Sequence, residues 1–127
     1  MFDSDKKNID NFKKAVKSVG WNIEDRELSS VDKLLMKNRQ GAIKRFYVNY
    51  KKFSFSVYYD NNDLLGTVGE PYFEFYIFVN PFSEMTDFGL YDTERFAPDD
   101  LERTKTILKN ITKLYNELSE KYPEYLV

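Results

Sequence analysis

Two aromatic runs with a period of two constrain this chain more than any other feature. In residues 53–59, Phe53, Phe55, Val57 and Tyr59 alternate with Ser54, Ser56 and Tyr58. Successive side chains of a strand point to opposite faces, so the alternation predicts a half-buried β-strand. Residues 72–79 repeat the pattern, with Phe73, Phe75, Ile77 and Val79 on one face and Tyr72, Glu74, Tyr76 and Phe78 on the other. The Phe-rich sets read as core. The opposite sets, joined by Tyr47, make a tyrosine-rich face that is either a binding surface or further core beneath a loop.

Charge is unevenly placed around these runs. Residues 53–94 hold eight acids, namely Asp60, Asp63, Glu70, Glu74, Glu84, Asp87, Asp92 and Glu94, and no Lys or Arg. Local sequence therefore predicts a negative field. Residues 37–52, just before, hold six bases and no acid: Lys37, Arg39, Lys44, Arg45, Lys51 and Lys52. The net charge of -2 conceals this asymmetry.

A length of 127 residues is read as one α+β domain over residues 1–127, large enough to bury a core without metal or disulfides. Aromatics make up 17% of the chain, a high share that favours strands or a binding surface. With no Cys there is no disulfide, thiolate nucleophile or Cys-type zinc site. With no His there is no His-based dyad or triad and no HExxH site. Residues 1–7 are charged and lack the apolar segment of a secretory signal, and no apolar run approaches the roughly 18 residues of a membrane span. A cytoplasmic location is expected.

In chain order, Ile9, Phe12, Val16 and Val19 recur at helical spacing between an N-cap candidate at Asp3 or Ser4 and Gly20, a residue suited to the position after a helix C-cap. Lys6, Lys7, Lys13, Lys14 and Lys17 occupy the other face, read as solvated surface. Trp21 and Ile23 are expected to pack beneath this helix. Residues 24–38 fit either a second helix or a short strand entering a turn. Residues 43–50 read as a strand paired antiparallel with residues 53–59, because Lys51 and Lys52 leave no room for a parallel crossover. Residues 60–70 read as a loop, and residues 82–97 as an irregular, partly packed one. Pro98, Asp99 and Asp100 then open a helix with Leu101, Leu108, Ile111, Leu114 or Tyr115, Leu118 and Tyr122 on its apolar stripe. The expected fold is α+β: an antiparallel sheet of three to four strands with the N-terminal and C-terminal helices packed on one face.

Motifs for chemistry are weak. Ser30 and Lys33 match SxxK, but so do Ser4 and Lys7, and the companion motifs are missing. Asp60, Asn61, Asn62 and Asp63 begin like a calcium loop, yet Leu64 and Leu65 stand where an oxygen ligand and Gly are needed. Gly66 and Gly69 have GxxG spacing but precede Glu70 and Pro71 rather than a basic helix. Acid pairs such as Glu84 with Asp87, or Asp92 with Glu94, would need to converge in a cleft to act as acid and base or to hold a metal. No metal or cofactor is expected.

The functional expectation is a small non-catalytic protein-binding module, most specifically an immunity-type inhibitor that neutralises a basic bacterial toxin or enzyme. Its partner-binding residues are expected at Tyr58, Asp60, Asp63, Glu70, Tyr72, Glu74, Tyr76 and Glu84. Tyrosine supplies contact area at low rotamer entropy, and carboxylates would steer a cationic partner. Alternatives are a nucleic-acid module using the basic run in residues 37–52, and a homo-oligomeric subunit that buries the tyrosine face.

Overall fold

A computed structural model describes residues 3–35, 43–62, 69–79 and 90–126. The elements are α1 (Asp3–Ser18), β1 (Asn22–Arg26), α2 (Ser30–Leu35), β2 (Ile43–Tyr50), β3 (Phe53–Asp60), β4 (Tyr72–Val79), β5 (Leu90–Phe96), α3 (Leu101–Lys121) and α4 (Pro123–Leu126). The strands form one antiparallel sheet in the order β1, β2, β3, β4, β5, each beside its neighbour in sequence. This is the expected α+β arrangement, with five strands rather than three to four.

The two extra strands lie where local signals fail. In β1 only Ile23 is apolar, and in β5 the sequence LYDTERF mixes both charges. Neither would be read as a strand in isolation. Each satisfies its backbone on a partner already specified by strong alternation: Ile23 opposite Val48 on β2, and Phe96 opposite Phe73 on β4. Strand propensity is context-dependent, and here pairing supplies the context. The ambiguous residues 24–38 thus contribute both a strand end and the short helix α2, while β5 replaces part of the loop expected over residues 82–97.

The core lies between the Phe-rich sheet face and helices α1 and α3. Phe53, Phe55, Val57, Tyr59, Phe73 and Phe75 are all buried, as their alternation predicts. From α1, Phe12 is fully enclosed; its ring stacks on Phe73 at 4.2 Å between centroids and tilts against Phe75 at 6.0 Å. Burying a side chain of this size contributes about 1.5–3 kcal/mol. From α3, Ile107, Leu108, Ile111, Tyr115 and Leu118 are buried, so Tyr115 rather than Leu114 completes the stripe. Its ring meets Phe53 edge-on at 4.7 Å.

Helix ends follow the sequence signals. Gly20 N–H bonds Lys17 C=O at 3.1 Å and Trp21 N–H bonds Val16 C=O at 3.3 Å, a Schellman termination with Gly20 at φ +87°. This turn drops Trp21 into the core, against Tyr50 and Phe55. There its Nε1–H donates to Thr112 Oγ1 of α3 at 2.8 Å, so the buried indole leaves no unmet donor. At the start of α3 the Asp100 carboxylate accepts from Arg103 N–H at 3.2 Å, one residue beyond the Pro98 and Asp99 turn.

Candidate functional site: the open sheet face

Both long helices cover one side of the sheet, so the alternate residues of every strand project from the other. Antiparallel register arranges them in rows. One row runs Arg26, Arg45, Tyr58, Glu74, Arg95, and the next runs Glu24, Tyr47, Ser56, Tyr76. Tyr72 stands opposite Asp60 at the end of the sheet. The structure therefore gathers Tyr47, Tyr58, Tyr72 and Tyr76 on one face, where Tyr76 is 37% exposed and the other three are half-buried.

Three arginines interleave with these rings. The Arg26 guanidinium carbon lies 4.5 Å from the centre of the Tyr47 ring, and that of Arg95 lies 4.1 Å from Tyr72. Arg45 lies 5.1 Å from Tyr47 and 6.0 Å from Tyr58, and donates from Nη2 to the Tyr47 hydroxyl at 2.9 Å. Such cation–π contacts are worth about 0.5–1 kcal/mol when exposed and more when shielded from water. Tyr58 and Tyr76 meet edge to face at 5.4 Å.

These cations change the charge expected from local sequence. Glu74 does not present a free carboxylate, because Arg95 Nη2 reaches its Oε2 at 2.9 Å. Asp60 is only 5% exposed; its oxygens accept from Asn62 N–H at 2.7 Å and from the Tyr72 hydroxyl at 3.0 Å. Asp60 closes a turn and orients Tyr72. Glu94, from the same acidic stretch, is paired with Arg103 of α3. Of the remaining expected residues, Glu70 is exposed. Asp63 and Glu84 lie outside the described residues, as do Lys37, Arg39 and Asp87. On the described face the formal charges are Arg26, Arg45 and Arg95 against Glu24, Asp60 and Glu74, a balanced set.

The phenols are held in their neutral form. Burial, then the hydrogen bond to Glu74, pushes the Tyr76 pKa from its ordinary 10.0 up to about 12. Burial and the hydrogen bond to Asp60 raise Tyr72 as well, opposed in part by Arg95. On the core side, Tyr59 is raised by burial and then by its hydrogen bond to Asp5. Asp5 is 3% exposed and also accepts from Asn61 Nδ2 at 3.3 Å. On the open face Tyr72 and Tyr76 are therefore present as neutral hydroxyls at neutral pH.

Arg45 was legible as part of this face, since it alternates with Tyr47 and Asn49 on β2. Arg26 and Arg95 were not, because their strands carry little alternation and their register is set across the sheet. Among the described residues no group of three or more acidic side chains could hold a metal ion. No helix among them is long and apolar enough to cross a membrane.

The fold and face together define an α+β sheet protein with one covered face and one face on which tyrosines and arginines interleave. Comparison with protein-family models, curated proteins and solved structures gives no match.

Proposed function

We propose that the chain is a non-catalytic protein-binding module that engages its partner through the open sheet face. One observation carries this reading: four tyrosines and three arginines share that face, with Tyr76 exposed at its centre. Tyrosine and arginine are the residue types over-represented at the energetic centres of protein interfaces. They sit here on paired strands, a rigid platform that loses little entropy on binding.

An immunity-type inhibitor of a bacterial toxin, acting in the cytoplasm, is the narrower form of this proposal. Its aromatic half is supported by the geometry of Tyr58, Tyr72 and Tyr76. Its electrostatic half has less support, because Asp60 is buried and Glu74 is held by Arg95. Attraction of a basic toxin would fall to Glu70 and to Asp63 and Glu84 outside the described residues.

The test is affinity capture from cells with wild type and a Tyr58→Ala/Tyr76→Ala variant, after circular dichroism shows the variant folded. A protein held by wild type, reconstituted from purified components and lost by the variant supports the module. A partner indifferent to both substitutions overturns it, and a doubled mass of the purified chain that the variant abolishes would move the assignment to a homodimer.

A further inference from the structure

The carboxylates and arginines of the open face balance in number but not in pairing. Glu24 accepts from Arg26 at 3.3 Å and from Asn49 Nδ2 at 2.8 Å, and Glu74 accepts from Arg95 at 2.9 Å. Asp60 is buried, its oxygens taken by Asn62 N–H and the Tyr72 hydroxyl. All three acids are thus engaged. Arg45 is the arginine left over. Among the described residues Arg26, Arg95 and Arg103 each reach a carboxylate, and none lies within ion-pair distance of Arg45.

The position of Arg45 makes this unfavourable in the free protein. It is half-buried on β2 and stands directly opposite Arg26, where like charges repel. Its Nε is buried with no hydrogen-bond partner, an unmet donor that opposes folding. Nη2 donates to the Tyr47 hydroxyl at 2.9 Å, whereas Nη1 reaches the Glu27 carbonyl only at 3.5 Å, longer than an ordinary N–H···O bond. Each of these two nitrogens carries a second N–H, and together they form the outer end of the guanidinium fork, which matches both oxygens of a carboxylate. The rings of Tyr47 and Tyr58, centred 5.1 and 6.0 Å from the guanidinium carbon, flank it. They exclude part of the water, which strengthens a charged hydrogen bond made there.

We propose that Arg45 anchors a carboxylate of the protein partner, a Glu or Asp side chain laid end-on against Nη1 and Nη2 with its neighbouring residues packed on Tyr58 and Tyr76. The inference rests on the reading of the chain as a protein-binding module and adds the chemistry that the face selects. Every carboxylate described on this face is already engaged, so the partner's contact charge is opposite to the one expected from the acidic stretch. A nucleic-acid strand fits less well. It needs a cation for each of several phosphates, and one unpaired guanidinium among Glu24, Asp60 and Glu74 serves a single anion.

A random dodecapeptide library displayed on phage is selected on the purified full chain. The recovered peptides are then followed by fluorescence anisotropy on wild type and on Arg45→Gln, whose fold circular dichroism checks. The expected result is recovery of peptides carrying Glu or Asp, with affinity lowered about tenfold when that acid is changed to its amide and about tenfold on Arg45→Gln. The two changes together should weaken binding no more than either alone, because they remove the same contact. Should Arg45→Gln not fold, Arg45→Lys replaces it and should lose most of the same affinity, since an ammonium keeps the charge without the fork. Peptides without acids, or acids whose effect adds to that of Arg45→Gln, overturn the proposal. Oligothymidylate that binds more tightly than any peptide and is lost on Arg45→Gln overturns it in favour of a nucleic-acid site. Acid-free peptides that need Tyr58 and Tyr76 remove the carboxylate contact while leaving the binding face; acidic peptides that need Arg45 but neither tyrosine do the reverse. A library that yields no binder overturns the contact, whereas a full-length partner captured through Tyr58 and Tyr76 would still uphold the face.

Discussion

Arg95 binds Glu74 at 2.9 Å from the directly opposite position on the neighbouring strand. The pair converts what local sequence presents as an unopposed acid into a neutral patch. It also fixes the guanidinium over Tyr72. The Arg95 pKa is raised, chiefly by this hydrogen bond to Glu74.

Replacing Arg95 by Gln should therefore act on the face more than on the fold. The arginine side chain is 60% exposed, so the stability loss should be about 0.5–1 kcal/mol by urea denaturation. The Tyr72 phenol should titrate at higher pH than in wild type, because the Arg95 charge that lowers it is gone. Tyrosinate absorbance measured against pH checks this.

Alkali should unfold the protein. In the folded state Tyr59, Tyr72 and Tyr76 hold their protons above the ordinary 10.0, and Tyr76 does so to about 12. The unfolded chain loses these protons first, so the stabilisation is complete below pH 10 and declines as pH rises toward 12. Urea midpoints across that window should fall with rising pH. A flat profile would contradict the assigned burial of the three phenols.

Tyr59→Phe should be costly although it preserves the ring. Its hydroxyl donates to the Asp5 carboxylate and accepts from Asn8 Nδ2 at 3.2 Å. Without it Asp5, 3% exposed, keeps the Asn61 donor but loses the phenol. A loss of about 1–3 kcal/mol is expected in chemical denaturation. Pairing the change with Asp5→Leu should recover part of it, since an apolar partner leaves no carboxylate to satisfy.

Gly20→Ala should destabilise by about 1 kcal/mol, measured the same way. A Cβ at Gly20 would meet no atom within 4 Å, so the cost is backbone strain at φ +87° and not a clash. Gly20→Asn should cost less, because Asn tolerates this region better.

Much of the fold was readable before any tertiary contact was known. The alternations in β3 and β4, the stripe of α3 and the Gly20 stop all act over a few residues, where covalent geometry sets the period. Trp21 was expected beneath the first helix, but its bond to Thr112 joins positions 91 residues apart, and no local pattern announces it. The same limit applied to the acids. Residues 53–94 hold no base, yet Arg95, the very next residue, and Arg103 reach Glu74 and Glu94 through strand register and helix docking.

By itself, then, the sequence determined which strand faces are apolar, where the two long helices begin and end, and that no histidine or cysteine chemistry is open to this chain. These follow from residue types and short-range periodicity. Tertiary structure alone decided that polar β1 and β5 become strands and that arginines from three strands interleave with the tyrosines and offset the acids of their face. Each of these depends on which residues stand opposite one another across the sheet, and register is set by the whole core, not by any segment that contributes to it.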